Sequence, residues 1–487
     1  MNSDAPPRPR ARAARGFPDR RAAVIVAERR IVAAVSAVYE SYGFEALDTG
    51  AFEYADALGK FLPDAERPNA GVFALVDDDE QWLALRYDLT APLARFAAEN
   101  WTSLPKPFRR YAVGPVWRDE KVGPGRFREF IQCDADTVGS DRPEADAEII
   151  AMAVEGYAAA GLPRDGLVMK INNRKLLNGL LESAGVGDGA QVLAVLRAVD
   201  KLDRLGLEGV TALLGVGRQD ESGAFTKGAQ LEASAIDKVL AFVSAGSAGR
   251  AATLGRLANV IGGSAQGDKG LAELRRIGEV LGSLGVGEDQ ATFDPSVVRG
   301  LEYYTGPVFE AELAGPGADG AARLGSVGGG GRYDDLVARF TGEAIAATGF
   351  SFGVTRLATA LQASPEGDRA RQRGPVVVIV LEPDRMGDYF AMARDLRAAG
   401  VAAEVYLGAA GMRAQMKYAD RRLAPAAVIV GGDEFAAGTV TVKDLDLGRA
   451  LAGETADNRA WRTDRPGQIT RPRDELAATV REILGTA

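Results

Sequence analysis

The first long segment of the chain repeats its apolar positions with the period of a helix. Between residues 21 and 42 these positions are three, four or seven residues apart, and Gly43 follows. Such spacing forms one apolar stripe on an amphipathic helix, and glycine is typical just after a helix end. The segment therefore predicts a helix that packs through one face. Its stripe consists of Val24, Ile31, Val35, Val38 and Tyr42.

Two pairs of segments show the shorter period of β-strands. Residues 72–76 and 82–88 run apolar or alternate on either side of the polar tip 77–80, which predicts a hairpin. Residues 109–117 and 127–136 form a second pair, joined by a short loop that contains Gly123, Pro124 and Gly125. Most of the chemically versatile side chains lie in or beside this second hairpin.

Six of these side chains would share one face of the second hairpin. Guanidinium groups bind phosphates, an aromatic ring stacks on a flat base, and carboxylates accept hydrogen bonds from amines. The combination suits a nucleotide and an amino acid bound side by side. A solvated hairpin with cross-strand ion pairs would have the same composition, so that interpretation stays open on pattern alone. The six residues are Arg118, Glu120, Arg126, Phe130, Gln132 and Asp136.

The remaining patterns divide the chain into further regions. Residues 144–160 read as a helix, and residues 167–186 as a strand followed by a helix. Residues 180–287 combine Ala, Leu, Gly and charge with helical spacing, which predicts an inserted helical domain. From residue 376, strand-like and helical runs alternate and predict an α/β unit with a largely parallel core. Residues 1–18, rich in Pro, Arg and Ala, are expected to be mobile.

The composition excludes several classes of catalyst. The 487 residues contain no histidine and one cysteine, Cys133. Ser-His-Asp and Cys-His catalysis, imidazole-based zinc sites and internal disulfides are therefore excluded. The stretch GFSFG at residues 349–353 matches the nucleophile elbow G-x-S-x-G, but without a histidine base Ser351 is expected to be structural.

Charge and hydropathy set the expected surroundings of the chain. The net charge of −9 does not indicate a general nucleic-acid binder, so an RNA partner would need a local basic surface. No apolar run approaches the roughly 20 residues of a membrane helix. The N-terminal segment lacks the apolar stretch of a secretory signal, and the cytoplasm is the expected compartment.

Several motifs resemble those of histidyl-tRNA synthetase, a class II aminoacyl-tRNA synthetase. VWRDE, GRFREF and QCDAD, within residues 116–136, resemble motif 2, and QCDAD is similar to the histidine-specific form. FEALDTGAFE at 44–53 resembles motif 1, with Gly50 where the family usually has proline. RGLEYYTG at 299–306 resembles the signature RGLDYYTG, with Glu302 in place of aspartate. ATGFSFGVTRLATAL at 347–361 is similar to motif 3.

The resemblance implies an α+β fold of three parts. Residues 19–175 and 288–365 would form a class II catalytic core with a central antiparallel sheet, and residues 176–287 a helical insertion over the acceptor end of tRNA. Residues 374–487 look like the α/β anticodon-binding domain of several class II enzymes. The implied reaction joins L-histidine to tRNA(His) through a histidyl-adenylate made from ATP. A homodimer is implied, and Mg²⁺ bridging the phosphates without a protein-only metal cage.

The resemblance also assigns roles to individual residues. Arg118 and Arg299 would hold the α-phosphate and the carboxylate as the catalytic residues. Phe130 would stack on adenine, and Glu120 would accept a hydrogen bond from its amino group. The implied ATP-binding residues are Arg118, Glu120, Arg126, Phe130 and Arg356. The implied histidine-binding residues are Asp88, Leu89, Thr90, Arg118, Gln132, Asp136, Arg299, Tyr303 and Tyr304.

Some of these positions also have a simpler structural interpretation. Asp88 and Thr90, at a strand end before a helix, would serve equally as helix caps. The glycines at 328–331 are interpreted as backbone clearance beside the amino-acid pocket, since no phosphate-loop pattern surrounds them. A basic stripe spaced by four on one predicted helix is a tRNA-binding candidate, or else a solvated face. The stripe consists of Arg413, Lys417 and Arg421.

Two other functions share part of this pattern. The first is a non-catalytic, histidine-binding regulatory paralogue that partners a histidine-biosynthesis enzyme. Such paralogues lack the C-terminal domain and lose phosphate-binding arginines, whereas this chain has both the domain pattern and all four arginines. The second is another class II synthetase with the same terminal domain, which RGLEYYTG disfavours. The arginines concerned are Arg118, Arg126, Arg299 and Arg356.

Overall fold

The computed structural model describes residues 10–58, 71–123, 125–219, 223–298, 304–314, 326–363, 373–452 and 467–485. The chain divides into two compact units, residues 1–368 and residues 369–487. Among the described residues, no helix has the length and apolar character needed to cross a membrane.

The first unit combines helices with three sheets. Its helices are α1 (Ala22–Ser41), α2 (Thr90–Asn100), α3 (Pro143–Ala159), α4 (Arg174–Ser183), α5 (Gly189–Val199), α6 (Leu202–Leu214), α7 (Ala233–Val243), α8 (Arg250–Ile261), α9 (Ala265–Ser283), α10 (Ala338–Thr341) and α11 (Val354–Ala363). Its strands are β1 (Glu45–Ala46), β2 (Phe52–Tyr54), β3 (Ala74–Val76), β4 (Trp82–Leu85), β5 (Phe108–Trp117), β6 (Glu129–Val138), β7 (Leu167–Asn173), β8 (Gly217–Gln219), β9 (Phe225–Lys227), β10 (Ala291–Phe293), β11 (Pro307–Leu313), β12 (Ser326–Arg332) and β13 (Ala347–Gly353).

The largest sheet has eight strands in the order β1-β5-β6-β13-β12-β11-β7-β10. All pairings from β5 through to β7 are antiparallel, and only the two edge pairings, β1 with β5 and β10 with β7, are parallel. The predicted central antiparallel sheet is therefore confirmed. Strand β6 is paired on both sides, with β5 and β13, so its side chains are held in a fixed register.

One face of this sheet is covered by helices, and helix α1 packs there through its apolar side chains. Its side chains Ile31, Val35 and Tyr39 are at most 3% exposed and pack in the same core cluster as α3 and α11. Helix α1 confirms the predicted helix over 21–42, with Tyr39 added to the buried stripe and Val24, Val38 and Tyr42 only half-buried. Gly43 follows with φ 79°, a left-handed conformation that favours glycine, and stops the helix.

The central hairpin is regular over its full length. Strands β5 and β6 pair from Phe108 opposite Val138 to Trp117 opposite Glu129 without a bulge. Because side chains alternate across a strand, Gln132 and Asp136 point to the same face of β6. The predicted hairpin is confirmed, and its polar face lies opposite the helix-covered core.

The predicted helical region shares the core of the sheet. Helices α4 to α9 bury apolar faces in the same hydrophobic cluster as α1 and α3, with α9 packed against both α3 and α4. The sequence pattern did not predict strands β8 and β9, which pair as a short antiparallel hairpin between α6 and α7. Because the core is continuous, residues 1–368 form one compact unit.

A small sheet in the order β2-β4-β3 confirms the other predicted hairpin. One of its faces is apolar and solvent-exposed: Phe52, Tyr54 and Leu75 are 45–53% exposed. The register places these three side chains on the same face as Leu83 and Leu85. Large contiguous apolar surfaces of this kind are typical of interfaces.

The second unit is an α/β layer around a five-stranded sheet. Its strands are β14 (Val376–Val380), β15 (Ala403–Val405), β16 (Ala426–Val430), β17 (Thr439–Asp444) and β18 (Gln468–Pro472), in the order β15-β14-β16-β17-β18. Its helices are α12 (Met386–Ala398), α13 (Met412–Arg421), α14 (Gly432–Ala437), α15 (Leu445–Ala452) and α16 (Leu476–Leu484).

The sheet of the second unit corrects one expectation. Strand β14 is parallel to β15 and β16, but β17 runs antiparallel to both β16 and β18. The core is therefore mixed and not largely parallel. Strands β16 and β17 are joined through the short helix α14, and β17 returns beside β16 in the antiparallel direction. A parallel pairing would have required a longer crossover connection.

Candidate active site

A cavity of about 520 Å³ opens on the polar face of the large sheet in the first unit. Strands β6, β12 and β13 supply its floor and one wall. The other lining residues come from the segment before α2, the β5–β6 loop and the first turn of α11, together with Gly71, Val72, Tyr304 and Phe309. Residues from distant parts of the sequence meet here because β6 pairs with β13 and β13 with β12.

Most of the described residues that were predicted to bind substrates line this one cavity. They are Asp88, Thr90, Arg118, Glu120, Arg126, Phe130, Gln132, Tyr304 and Arg356. Two predicted residues, Leu89 and Asp136, are absent from the lining and lie beneath it. Arg299 and Tyr303 lie outside the described residues.

Arg118 is held in a defined position at the cavity wall. Its Nε donates a hydrogen bond to the Tyr87 carbonyl oxygen at 3.0 Å, and its guanidinium carbon lies 5.1 Å from the centre of the Phe130 ring. A cation at this distance from an aromatic face is attracted by the ring. The backbone bond uses one of five donors, so a planar fork remains available for an anion.

Arg356 lies in the first turn of α11 and donates from Nη1 to the Ser326 carbonyl oxygen at 2.6 Å. The bond links the start of α11 to the start of β12. A cation in the first turn opposes the positive end of the helix dipole, and a bound anion would compensate both charges. The position therefore suits a phosphate or a nucleotide.

Asp88 caps a helix and also lines the cavity. Its Oδ1 accepts hydrogen bonds from the backbone N–H groups of Thr90, at 3.1 Å, and Ala91, at 2.9 Å. Burial raises the pKa of Asp88, while the two amides and the nearby charge of Arg118 oppose that shift. The capping interpretation is thus correct for Oδ1, and the residue still faces the cavity.

Asp136 lies below the floor of the cavity, where its carboxylate is bound by two neighbouring side chains. Its carboxylate forms an ion pair of 2.8 Å with Arg110 and accepts a hydrogen bond from the Tyr333 hydroxyl. Burial raises the pKa of Asp136, and Arg110 opposes the increase. A Cβ at Gly349, the residue opposite, would lie 1.9 Å from Asp136 Oδ1, so only glycine fits there.

Leu89 supports the same region from behind. Its side chain is 2% exposed and packs with Ala112 and Val116, and its carbonyl oxygen accepts a 2.8 Å hydrogen bond from Arg110. Arg110 therefore connects the segment that precedes α2 to Asp136 on β6. Any contribution of Leu89 to binding goes through its backbone position.

Gln132 and Ser351 meet on the floor of the cavity, where the Gln132 amide donates to the Ser351 hydroxyl. The expectation that Ser351 has a structural role fits this contact. The interpretation of the glycines at 328–331 also fits the geometry, because a Cβ at Gly330 would lie 2.1 Å from the Gly349 carbonyl oxygen.

Sequence reasoning missed three residues of this network. Asp134 lies between Gln132 and Asp136 on the same face of β6, so the period-two pattern could have identified it. Arg110 lies directly opposite Asp136 in the hairpin register, which the alternation along β5 also indicates. Tyr333 follows the glycine strand, and no local signal connects it to β6.

In the second unit, the predicted basic stripe lies on α13. Arg413, Lys417 and Arg421 are all exposed, and within the described part of the chain none of them forms an ion pair. The next residue, Arg422, is different, because Glu404 binds it through two bonds of 2.9 and 3.0 Å. The stripe is therefore a free cationic surface within the described residues.

Comparison with known proteins agrees with the fold and the cavity. A family model described as histidyl-tRNA synthetase matches residues 16–357, and one described as anticodon binding domain matches residues 375–482. The chain therefore belongs to the histidyl-tRNA synthetase family.

Individual relatives narrow this placement to one kind of protein. The chain is 69% identical to the histidine–tRNA ligase of Caulobacter vibrioides, covering 98% of this chain and 97% of the relative. It is 54% identical to the histidine–tRNA ligase of Brucella ovis, covering 98% and 96%.

Solved structures have the same architecture. The crystal structure of histidyl-tRNA synthetase from Nostoc sp. is 27% identical with a TM-score of 0.73, covering 98% of this chain and 100% of that one. A Bacillus halodurans structure titled as an ATP phosphoribosyltransferase regulatory subunit/histidyl-tRNA synthetase is 23% identical, with a TM-score of 0.66 and coverage of 84% and 97%. That second likeness concerns the fold alone. The regulatory-paralogue alternative is not favoured, since the close relatives are named as ligases.

Proposed function

We propose that this chain catalyses the ATP-dependent attachment of L-histidine to tRNA(His). The histidine carboxylate attacks the α-phosphate of ATP, and pyrophosphate leaves as histidyl-adenylate forms. A terminal ribose hydroxyl of the tRNA then attacks the acyl carbon and AMP leaves. The observation that carries the proposal is the single cavity that gathers residues from three separated motifs.

The arginines of the cavity provide for the first step. Arg118, fixed by Tyr87 and Phe130, binds the α-phosphate, and Arg356 and Arg126 bind the outer phosphates or the adenine. Phe130 stacks on adenine, and Glu120 accepts from its amino group. Positioning and charge neutralisation account for most of the catalysis of phosphoryl-group chemistry, so the absence of histidine is no obstacle.

The opposite part of the cavity receives the amino acid. Asp88, Thr90 and Gln132 bind the ammonium group, supported by the buried Leu89. Tyr304 and Asp136 recognise the imidazole, with Asp136 held from below by Tyr333 and Arg110. By the family resemblance, Arg299 joins Arg118 at the carboxylate and Tyr303 belongs to the same loop.

Mg²⁺ would enter this site with the nucleotide. The described residues contain no group of three or more carboxylate or thiol side chains that could hold a metal ion. The donors present therefore fit an ion that takes most of its ligands from phosphate oxygens and water. When bound, Mg²⁺ neutralises phosphate charge.

We also propose that the chain acts as a homodimer. The exposed apolar face formed by Phe52, Tyr54 and Leu75 includes Phe52 of the segment that resembles motif 1. A second copy would remove this surface from water. Sedimentation of the purified protein should give twice the monomer mass of 51.2 kDa, and a monomer at micromolar concentration would contradict the proposal.

The second unit would contact the tRNA through the exposed cations of α13, because released counterions favour binding of the phosphate backbone. The cytoplasm, where tRNA is charged, is the compartment proposed.

Pyrophosphate exchange tests the function directly. Of the twenty amino acids, only L-histidine should support exchange of labelled pyrophosphate into ATP. Arg118→Ala should abolish exchange while leaving the fold intact, and Arg164→Ala, which removes an exposed ion pair with Asp289, is the control. Histidine binding without exchange in the wild type would indicate the regulatory paralogue instead, and exchange with another amino acid would indicate a different synthetase.

A further inference from the structure

Asp134 is a buried carboxyl group that faces the cavity. It lies on β6 two residues from Gln132, is 2% exposed, and contributes to the cavity lining. Among the described residues, neither of its oxygens has a hydrogen bond of normal geometry. The hydroxyl of Ser351 and the charge of Arg110 favour its ionised form. A buried carboxyl group without partners is costly, so a ligand that donates to it would be bound strongly.

The neighbouring carboxylate cannot serve a ligand in the same way. Asp136 already has Arg110 and Tyr333 as partners, and it lies outside the cavity lining. A ligand group that approached it would have to compete with both. Asp136 can therefore meet the imidazole only as a carboxylate already paired with Arg110 and Tyr333, whereas the oxygens of Asp134 have no such hydrogen bond among the described residues.

The charges around Asp134 favour a proton at this point of the empty cavity. Burial, reinforced by the charge of Asp136, raises the pKa of Asp134 to about 8, and Ser351 and Arg110 oppose the increase. Charged or titratable groups from several elements interact electrostatically with Asp134. They are Asp136 on β6, Arg110 on β5, Arg86 and Asp88 before α2, and Tyr304 before β11. The net effect keeps the carboxyl group protonated near neutral pH.

We propose that Asp134 is a specificity-determining residue that shares one proton with the imidazole ring of bound histidine. The inference rests on the proposed function, since it assumes that histidine occupies the cavity. Along a strand, residues two apart are separated by roughly 6.6 Å. If Gln132 is near the amino group, Asp134 lies further along the same face, where the ring of the same ligand extends. An amino acid without a ring nitrogen leaves the buried carboxyl group unpaired and is rejected.

The number of protons held by Asp134 and the imidazole before and after binding predicts how the affinity for histidine depends on pH. The imidazole of free histidine is neutral above about pH 6.5, and Asp134 in the empty cavity brings the proton that the pair then holds. Between about pH 6.5 and the pKa of Asp134, about 8, binding exchanges no proton with solvent. Above that range the complex must take up one proton, and below it the complex must release one. The KM for histidine should therefore be lowest within this window.

Two measurements test the proposal, and the first is kinetic. In pyrophosphate exchange at pH 7.5, Asp134→Asn should raise the KM for histidine about 10- to 100-fold, as expected for a hydrogen bond to a charged group, and leave the KM for ATP within about twofold. The rise of KM above pH 8 should disappear in the variant. Cys133→Ala is the matched control, because Cys133 is also buried on β6 but points to the opposite face. An Asp134→Asn enzyme with the wild-type KM and pH profile overturns the proposal.

The second measurement uses the absence of histidine from the chain. With ring-¹⁵N-labelled histidine, every imidazole nitrogen signal comes from the ligand. Bound to the wild type, the ring should show one hydrogen-bonded, protonated nitrogen that stays constant from pH 6.5 to 8. A bound ring with the shifts of free neutral imidazole at pH 7.5 overturns the proposal even if the Asn variant does not fold. Binding is read here without catalysis, so a wild type inactive in exchange would contradict the proposed function alone.

Discussion

Two adjacent glycines of β12 should respond in opposite ways to the same substitution. A Cβ at Gly330 would lie 2.1 Å from the Gly349 carbonyl oxygen and 2.7 Å from the Phe309 ring. A Cβ at Gly329 would meet only the Phe309 carbonyl oxygen, at 3.5 Å, which is an ordinary contact. Both glycines line the cavity, and neither has a positive φ, so alanine is compatible with the backbone at both.

The expected magnitudes follow from this alternation. Overpacking a rigid site costs about 1–3 kcal/mol. In Gly330→Ala the protein itself bears this cost, because a backbone oxygen cannot move away, and the free energy of unfolding should fall by that amount. In Gly329→Ala the methyl group projects to the cavity side. Stability should change by no more than about 1 kcal/mol, and the ligand should lose about 1–3 kcal/mol, roughly 5- to 150-fold in kcat/KM.

Urea unfolding and pyrophosphate exchange on both variants provide the assay. Separate titrations of histidine and ATP will show which ligand lies against Gly329. The reasoning would be refuted if Gly329→Ala lost stability as much as Gly330→Ala, or if it kept both KM values and kcat unchanged.

Three further outcomes follow from the same contacts. Tyr333→Phe removes the hydroxyl group that donates to the buried Asp136 carboxylate and should lower the free energy of unfolding by about 1–3 kcal/mol; an unchanged urea midpoint would contradict this. Burial raises the folded pKa of Asp134 from 3.8 to about 8, so its contribution to stability is complete below pH 4 and is lost as pH rises through 8. Ligand-free wild type should therefore lose stability relative to Asp134→Asn over that range, by at most about 1.4 kcal/mol per pH unit, and parallel pH profiles would disprove it. Replacing the three exposed cations of α13 with alanine should weaken tRNA binding and reduce its salt dependence without changing pyrophosphate exchange, whereas unaltered binding would exclude α13 from the interface.

The local elements were largely predictable because their signals are local. The apolar stripe of α1 and the alternation in β5 and β6 depend only on the geometry of one helix or one hairpin. The prediction of a largely parallel core in the second unit was wrong because the apolar run of β17 is equally compatible with either strand direction. Strand direction depends on the connection and on the neighbour that the strand finds.

The amino-acid sequence by itself determined the long amphipathic helix α1, the two hairpins beside the site, the excluded catalytic classes and nine of the residues that line the cavity. Only the tertiary structure decided how these residues are used. The pairing of β6 with β13, two strands far apart in sequence, sets Gln132 beside Ser351, and the reach of Tyr333 to β6 engages Asp136 and leaves Asp134 open. Such choices depend on contacts between distant segments, whose partners are not encoded in local periodicity.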